Sequence, residues 1–275
     1  MRWRSFWPTP RSGQTMSEEY LSPPVQRAAR LLRHIAEGDG VRNMTQTAKQ
    51  IGINRTTLLR LLHTLEAERF IEPRPDGGWR IGSGLIGMAA QAFYSEDLVQ
   101  VAVPVLTRLA ETLGLSAHLG VLDGREVVYV VRRTPNMAFA SNIRVGSRLP
   151  AHAANMGRII LAHMPEDAVR RLFEGAELAA TTPLTATTLP GLHAVLDADR
   201  AAGLAWSEGH FEAAISSVAA VVRDASGAPV AALNVSGQRE AFARRKAEIG
   251  AAVARAGAEI SHRLGWVETR MKELA

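Results

Sequence analysis

The stretch INRTTLLRLLHTL, residues 53–65, decides how the first third of the chain is read. Leu58, Leu61, Leu62 and Leu65 stand at i, i+3, i+4 and i+7, so one side of a helix is apolar. Asn54 occupies the place of an N-cap, where a short polar side chain satisfies a free backbone N–H. Away from the leucines lie Asn54, Arg55, Thr56, Thr57 and Arg60, and no acid follows until Glu66 and Glu68. The outward half of the helix is therefore polar and cationic at its N-terminal end, the end that meets a phosphate backbone when such a helix enters a DNA groove. Leu59 falls on the same side. It suits either contact with a thymine methyl or a surface leucine covered by a neighbouring loop.

Working outward, Val25, Ala28, Ala29, Leu32, Ile35 and Ala36 recur at helical spacing from Pro23 to the Gly38-Asp39-Gly40 break. Thr45 is read as the cap of a second, shorter helix with Ala48 and Ile51 turned inward and Gly52 closing it. Two helices joined by a glycine turn, the second polar at its start, match helix-turn-helix geometry. Beyond them Phe70-Ile71 and Trp79-Arg80-Ile81 flank EPRPDGG, the pattern of a small hairpin. Residues 23–82 are thus expected to form a winged helix-turn-helix domain that binds DNA. Its candidate contacts are Thr45, Asn54, Arg55, Thr56, Thr57, Leu59 and Arg60, with Arg74 and Arg80 on the wing.

GSGLIG, residues 82–87, satisfies GxGxxG and raises a dinucleotide-binding reading. The preceding strand is short, no βαβ unit follows, and Glu96 and Asp97 come too early for the carboxylate that holds a ribose. The glycines are better read as the bend into a linker helix, residues 83–95, that covers Leu85, Met88, Ala89, Ala92 and Phe93.

The charge distribution agrees with this division. Residues 1–82 carry 13 Lys and Arg against 8 Asp and Glu, and residues 83–275 carry 19 against 19, so the net charge of +5 lies entirely in the first part. An anionic partner is expected there. The chain has no cysteine, which excludes disulfides and thiolate chemistry and fits a reducing compartment. No apolar run is long enough to span a bilayer and no signal-peptide pattern opens the chain, so a cytoplasmic protein without membrane partners is expected. Residues 1–22 read as a disordered tail or a mispredicted extension, with Met16 a second possible start.

Residues 96–270 read as an α+β domain. Ser95 is placed as the cap of a helix through Val99, Val103, Leu106, Leu109 and Leu113, ended by Gly114. Segments 116–122 and 126–132 form a hairpin around Asp123-Gly124, expected as a type I′ turn. Segments 215–223 and 229–236 form another around Ser226-Gly227, helices are expected near 153–163, 165–173 and 190–202, and one long helix near 240–264 closes the domain. A two-residue loop at Ser226-Gly227 makes paired residue numbers sum to a constant, so Ser217 faces Ser236 and Ala219 faces Asn234. The face holding Val218, Ala220, Val222, Ala231, Leu233 and Val235 is core. The other, with Ser217, Asn234 and Ser236 beside Ala219 and Ala232, either lines a pocket or meets solvent.

In LPAHAANMGRIILAHMP, residues 149–165, small residues surround a helix start. Its approachable N–H groups can bind a carboxylate or phosphate, or the small residues can simply permit close packing. His152 is either an anion donor or a structural histidine. His210 near Glu208 and Glu212 is a loose cluster that a strand-end loop also explains. With no HExxH, GxSxG or paired-carboxylate motif, no catalytic residue, metal or cofactor is assigned.

VQRAARLL, GINRTTLLRLLHTLEAERFIE and WRIGSGLIGMA resemble the IclR family of bacterial transcriptional regulators. LPAHAANMGRIILA resembles the family's helix beside the effector pocket, and SSVAAVVRDASGAPVAALNVSG its ligand-binding strands, in order over residues 24–266. The resemblance implies a winged helix-turn-helix domain, a linker helix that mediates dimers, and a GAF-like effector-binding domain that often assembles tetramers. By position the effector site would use the backbone at Asn155 and Met156 and the side chains of Ser217, Asn234 and Ser236, with Ser207 a further candidate. Ser217 stands where many members have cysteine and Asn234 where many have serine. VLDGREVVYVVRR and RVGSRLPAHAANMGR most resemble the subgroup governing protocatechuate, 4-hydroxybenzoate and β-ketoadipate catabolism. The expected function is a ligand-responsive, sequence-specific DNA-binding regulator sensing a small organic acid, aromatic or dicarboxylic, and acting as a homodimer or homotetramer on a palindromic operator. The alternative is a small-acid sensor or enzyme with an N-terminal protein-interaction domain.

Overall fold

Leu58, Leu62 and Leu65, the stripe seen in the sequence, are buried on α3 (Arg55–Ala67). They meet Leu31 and Ile35 of α1 (Pro23–Ala36) and Ala48 of α2 (Met44–Gln50). The computed structural model describes residues 21–38, 40–95, 97–135, 143–208 and 215–267, and divides into two compact units, Met1–Ser95 and Glu96–Ala275. In α1 the residue at the heart of the core is Leu31, while Val25 and Ala36 are exposed, so the helix turns a narrower face inward than its apolar spacing predicted.

The cap of α2 is Asn43, whose Oδ1 accepts a hydrogen bond from Gln46 N at 3.1 Å; Thr45 lies in the first turn and is exposed. Both residue types can cap, and the one with extended backbone just before the first turn does so. The wing pairs β1 (Ile71–Pro73) with β2 (Trp79–Ile81), with Pro73 opposite Trp79. It is tied to the connector between α1 and α2 by Trp79 N–H donating to Gly40 O at 2.7 Å. A Cβ on Gly78 would lie 2.0 Å from Gly40 O, so only glycine permits that approach. Gly82 and Gly84 press against backbone in the same way, at 2.4 and 2.8 Å from Arg69 O, as the chain enters α4 (Ser83–Ser95). On α4, Ile86, Met88 and Ala89 are exposed in this single chain, Leu85 is half-buried, and the side chains of Ala92 and Phe93 lie outside the described residues.

The second unit is built on a six-stranded antiparallel sheet of order β5-β4-β3-β8-β7-β6. Its strands are β3 (Ser116–Asp123), β4 (Glu126–Arg133), β5 (Arg148–Pro150), β6 (Ala205–Glu208), β7 (Ile215–Arg223) and β8 (Pro229–Gln238). The short edge strands β5 and β6 carry too few residues to show a period in the sequence. One face packs Val218, Leu233 and Val235 against α5 (Asp97–Leu113) and α10 (Lys246–Arg263). The other is covered by α6 (Asn155–Ala162), through Met156, Ile159 and Ile160, and is not a solvent face. Outside α6 lie α7 (Glu166–Phe173) and α8 (Leu189–Ala202).

Three local expectations need correction. Asp123 pairs with Glu126, so the first hairpin loop is Gly124-Arg125, and positive φ at Gly124 alone is the pattern of a type II′ turn rather than I′. The second loop spans residues 224–228, with a register shift at Val222/Arg223 that leaves Ser217 opposite Ser236 and Ala219 opposite Asn234 as the shorter loop had required. The terminal helix is broken at Arg245 into α9 (Arg239–Arg244) and α10; Arg245 leaves helical geometry and donates from Nη1 to Leu113 O at 2.8 Å. Ser95, where a cap was expected, falls at the end of α4, and its side chain lies outside the described residues.

Candidate functional site

Two surfaces carry the chemistry. On the first unit, Asn54 caps α3, its Oδ1 accepting from Thr57 N at 2.7 Å, which orients the first turn. Asn54, Arg55, Thr56 and Arg60 are exposed, Thr57 is half-buried, and Leu59 is 39% exposed, so no neighbouring loop fully covers that leucine. Among the described residues neither Arg55 nor Arg60 has an acidic partner. The wing differs. Arg74 Nε lies 3.4 Å from Asp76 Oδ1, and Arg80 Nη2 lies 3.2 Å from Glu72 Oε2. Glu72 also accepts from Ser83 N at 2.8 Å, and that bond, with Arg80 assisting, holds its carboxyl below the usual range. Arg42, which sequence reasoning passed over, pairs with Asp76 beside the wing. The charge on α3 is free to meet an anion, whereas that on the wing is partly neutralised within the fold.

On the second unit, Asn155, Ser207, Ser217, Asn234 and Ser236 converge on one cavity of about 40 Å³, walled on its apolar side by Tyr129, Ile143, Leu149 and Ile215. The sheet register puts Ser217 opposite Ser236, Ser207 opposite Ser217 and Ser116 opposite Ser236. Helix α6 starts at the cavity: Ala154 precedes it without a side-chain cap, and Asn155 is its first residue. Met156 does not line the cavity. Its side chain packs on the sheet, where a Cβ on Gly120 would stand 2.8 Å from its Cε, so only its backbone N–H faces the free end of the helix.

The polar groups form an ordered relay. Asn155 Nδ2 donates to Ser217 Oγ at 3.0 Å and approaches Ala205 O at 3.4 Å; a carbonyl only accepts, which sets the amide's orientation. Asn234 Nδ2 donates to Asn155 Oδ1 at 3.3 Å, and Asn234 Oδ1 accepts from His118 Nδ1 at 2.9 Å. His118 is fully buried and edge-on to Tyr129, 5.5 Å between ring centroids, and burial lowers its pKa to about 4. Burial likewise raises the Tyr129 hydroxyl well above its usual value. Ser217 accepts within the relay and so has its own hydrogen to give, and Ser236 Oγ is buried with no partner among the described residues. The lining thus offers hydroxyl donors and a helix N-terminus, and among the described residues none that lines it is Lys or Arg.

Sequence reasoning missed His118 and Tyr129. His118 is placed by the pairing of β3 with β8, where it stands opposite Asn234, and a bulge hides Tyr129: Leu119 pairs with Val131 but Gly120 pairs with Tyr129, so Val130 is skipped and the alternation of β4 changes face. His152 lies apart from this cavity, bonded through Nε2 to Ala179 O at 3.0 Å. His210 and Glu212 lie outside the described residues, and Glu208 pairs with Lys246. Among the described residues no group of His, Cys, Asp or Glu is arranged to hold a metal, and no helix is long and apolar enough to cross a membrane.

Both units match known domains. Residues 24–75 match the IclR helix-turn-helix domain and residues 90–262 the bacterial transcriptional regulator IclR C-terminal domain. The chain is 32% identical over 213 residues to the HTH-type transcriptional regulator XynR of Escherichia coli, covering 77% of this chain and 84% of that protein. An IclR transcriptional regulator from Alicyclobacillus acidocaldarius superposes with a TM-score of 0.79 at 28% identity, over 90% of this chain and all of the other. An IclR homologue from Microbacterium hydrocarbonoxydans, solved with 4-hydroxybenzoate, gives 0.76 at 26% identity, over 88% of this chain and 98% of the other.

Proposed function

The chain belongs to the IclR family of DNA-binding transcriptional regulators, and from that premise we propose that it is a cytoplasmic regulator whose operator affinity answers to a small organic acid. The observation that carries the DNA half is the exposed cationic face of α3, whose arginines have no acidic partner among the described residues. Asn54, Arg55, Thr56, Thr57, Leu59 and Arg60 enter the major groove, while Thr45, Arg74 and Arg80 serve the phosphates. The residues of α4 pair two chains, which the exposure of Ile86 and Met88 supports, in a homodimer or homotetramer. A dimer requires a palindromic operator with half-sites about 34 Å apart or a multiple of it. Arg55→Ala and Arg60→Ala are expected to weaken operator binding in an electrophoretic or fluorescence assay. Equal loss on all sequences with a shallower salt dependence marks a phosphate contact, and loss confined to the operator marks a base contact. Full operator affinity in both variants counts against this face.

The effector site is the cavity around Ser217, Asn234 and Ser236, with Asn155, Ser207 and the N–H groups of Asn155 and Met156. A carboxylate there is held by neutral donors and the start of α6, which oriented dipoles stabilise without a counter-charge. The volume supports a compact ligand, since one water needs roughly 10–15 Å³ on this measure and the cavity has about 40 Å³. An aromatic acid is the second reading, favoured by the apolar wall of Tyr129, Ile143, Leu149 and Ile215 and by the relative that holds 4-hydroxybenzoate. It requires the wall to open. Isothermal titration with acetate and with 4-hydroxybenzoate separates the two, and saturable binding of neither removes an acid effector from this cavity.

A further inference from the structure

On the other side of α6, between it and α8, lies a second cavity of about 100 Å³. Its apolar walls are Ala153, Leu184, Ala186 and Val195, and its polar groups are His152, Arg158 and Thr185, whose Oγ1 already accepts from Thr181 N and Thr182 N. Arg158 is 5% exposed. Its Nε and Nη2 grip Asp199 at 2.9 and 3.2 Å, and Nη2 also donates to Trp206 O at 2.7 Å. Among the described residues nothing accepts from Nη1, so two strong donors of a buried guanidinium have no protein partner. His152 supplies the complement. Its Nε2 meets the carbonyl of Ala179, which only accepts, so the proton of the neutral ring sits on Nε2 and Nδ1 keeps a lone pair.

The charge of an occupant follows from the pair beneath it. Arg158 and Asp199 already neutralise each other in a site where burial raises the Asp199 pKa despite the arginine beside it. A second carboxylate would share one cation with Asp199 and lose its own hydration, whereas an uncharged acceptor satisfies Nη1 with neither cost. An N–H or O–H on the same molecule suits Nδ1 of His152, and the four apolar walls suit a short alkyl group. We propose that this cavity is a second small-molecule site, for an uncharged compound bearing a carbonyl beside an N–H or O–H, a short primary amide being the simplest. The site does not depend on the reading of the first cavity. Helix α6 is common to both, because Asn155 and Arg158, one turn apart, bond the consecutive carbonyls of Ala205 and Trp206 on β6.

The test uses the full chain with methyl-labelled Ala, Ile, Leu and Val, titrated with acetamide and, separately, acetate at constant ionic strength. Saturable shifts with acetamide are expected at Leu184, Ala186 and Val195, with smaller ones at Ile143 and Ile215. Ala186→Met fills the cavity and should weaken binding at least tenfold, with unshifted Ile143 and Ile215 signals showing that the fold survives. Should that variant not fold, Leu184→Ala on the exposed rim should weaken binding two- to fivefold. Water alone in the cavity gives shifts that never saturate, and that result overturns the proposal. So does saturation by acetate but not acetamide, or binding unchanged in the variant that folds.

Discussion

His118 is a histidine buried wholly out of water. It is neutral because burial holds its pKa near 4 rather than the ordinary 6.5, although Asn234 accepts its Nδ1 hydrogen. As pH falls below 6.5 the unfolded chain takes up a proton that the native state refuses until about 4, so this histidine costs stability across that window and adds nothing further below it. Between pH 7.5 and 4.5 the stability advantage of the native chain over His118→Leu should shrink by about 2–3 kcal/mol in urea denaturation. A constant difference would mean that the ring ionises freely. Two glycines make an opposed pair. A Cβ on Gly157 would stand 2.4 Å from the backbone of Ala151, so Gly157→Ala should destabilise by about 1–3 kcal/mol, while Gly87 has nothing within 4 Å and Gly87→Ala in α4 should stabilise by about 0.5–1 kcal/mol. Thermal melts of the two variants should move in opposite directions.

At the scale of elements, short polar residues compete for roles that spacing alone leaves open. Asn43 rather than Thr45 caps α2, so Asn43→Ala should cost about 1 kcal/mol and Thr45→Ala only a few tenths. Equal losses would mean that the threonine shares the cap. The β7–β8 register followed from a two-residue loop, and it survives a loop longer than that: the five residues 224–228 and the shift at Val222/Arg223 compensate each other. The β4 bulge was not legible. Skipping Val130 carries Tyr129 to the cavity side while Val131 joins the opposite core, and only the partner strand reveals it. The break at Arg245 was hidden for a related reason, since its cause is a carbonyl at Leu113, far away in sequence.

Across the whole molecule the two units divide labour as their charges do, with the surplus of +5 on residues 1–82 and none on the rest. Ser236 lines the cavity of the second unit and has no partner among the described residues, so Ser236→Leu should abolish the effector response while leaving operator affinity within about twofold, a change near the limit of what binding free energies resolve. Loss of both functions together would make the serine structural. The buried Arg158–Asp199 pair gives a second handle. Arg158→Met alone should destabilise by about 3–5 kcal/mol by leaving a carboxylate unpaired, and joining it to Asp199→Leu should recover most of that loss.

The sequence by itself determined the helix-turn-helix with its wing, the core face of the long hairpin and the two serines and one asparagine that would share the other, because each rests on a period or a cap readable within a few residues. Tertiary structure alone decided that α6 covers that second face and turns it into a cavity, that His118 and Tyr129 stand beside the relay, and that Arg158 meets Asp199. Those outcomes depend on groups separated by tens of residues and on a skipped residue in one strand. Neither the close approach of two backbones nor the loss of water from a histidine leaves a local pattern in the chain.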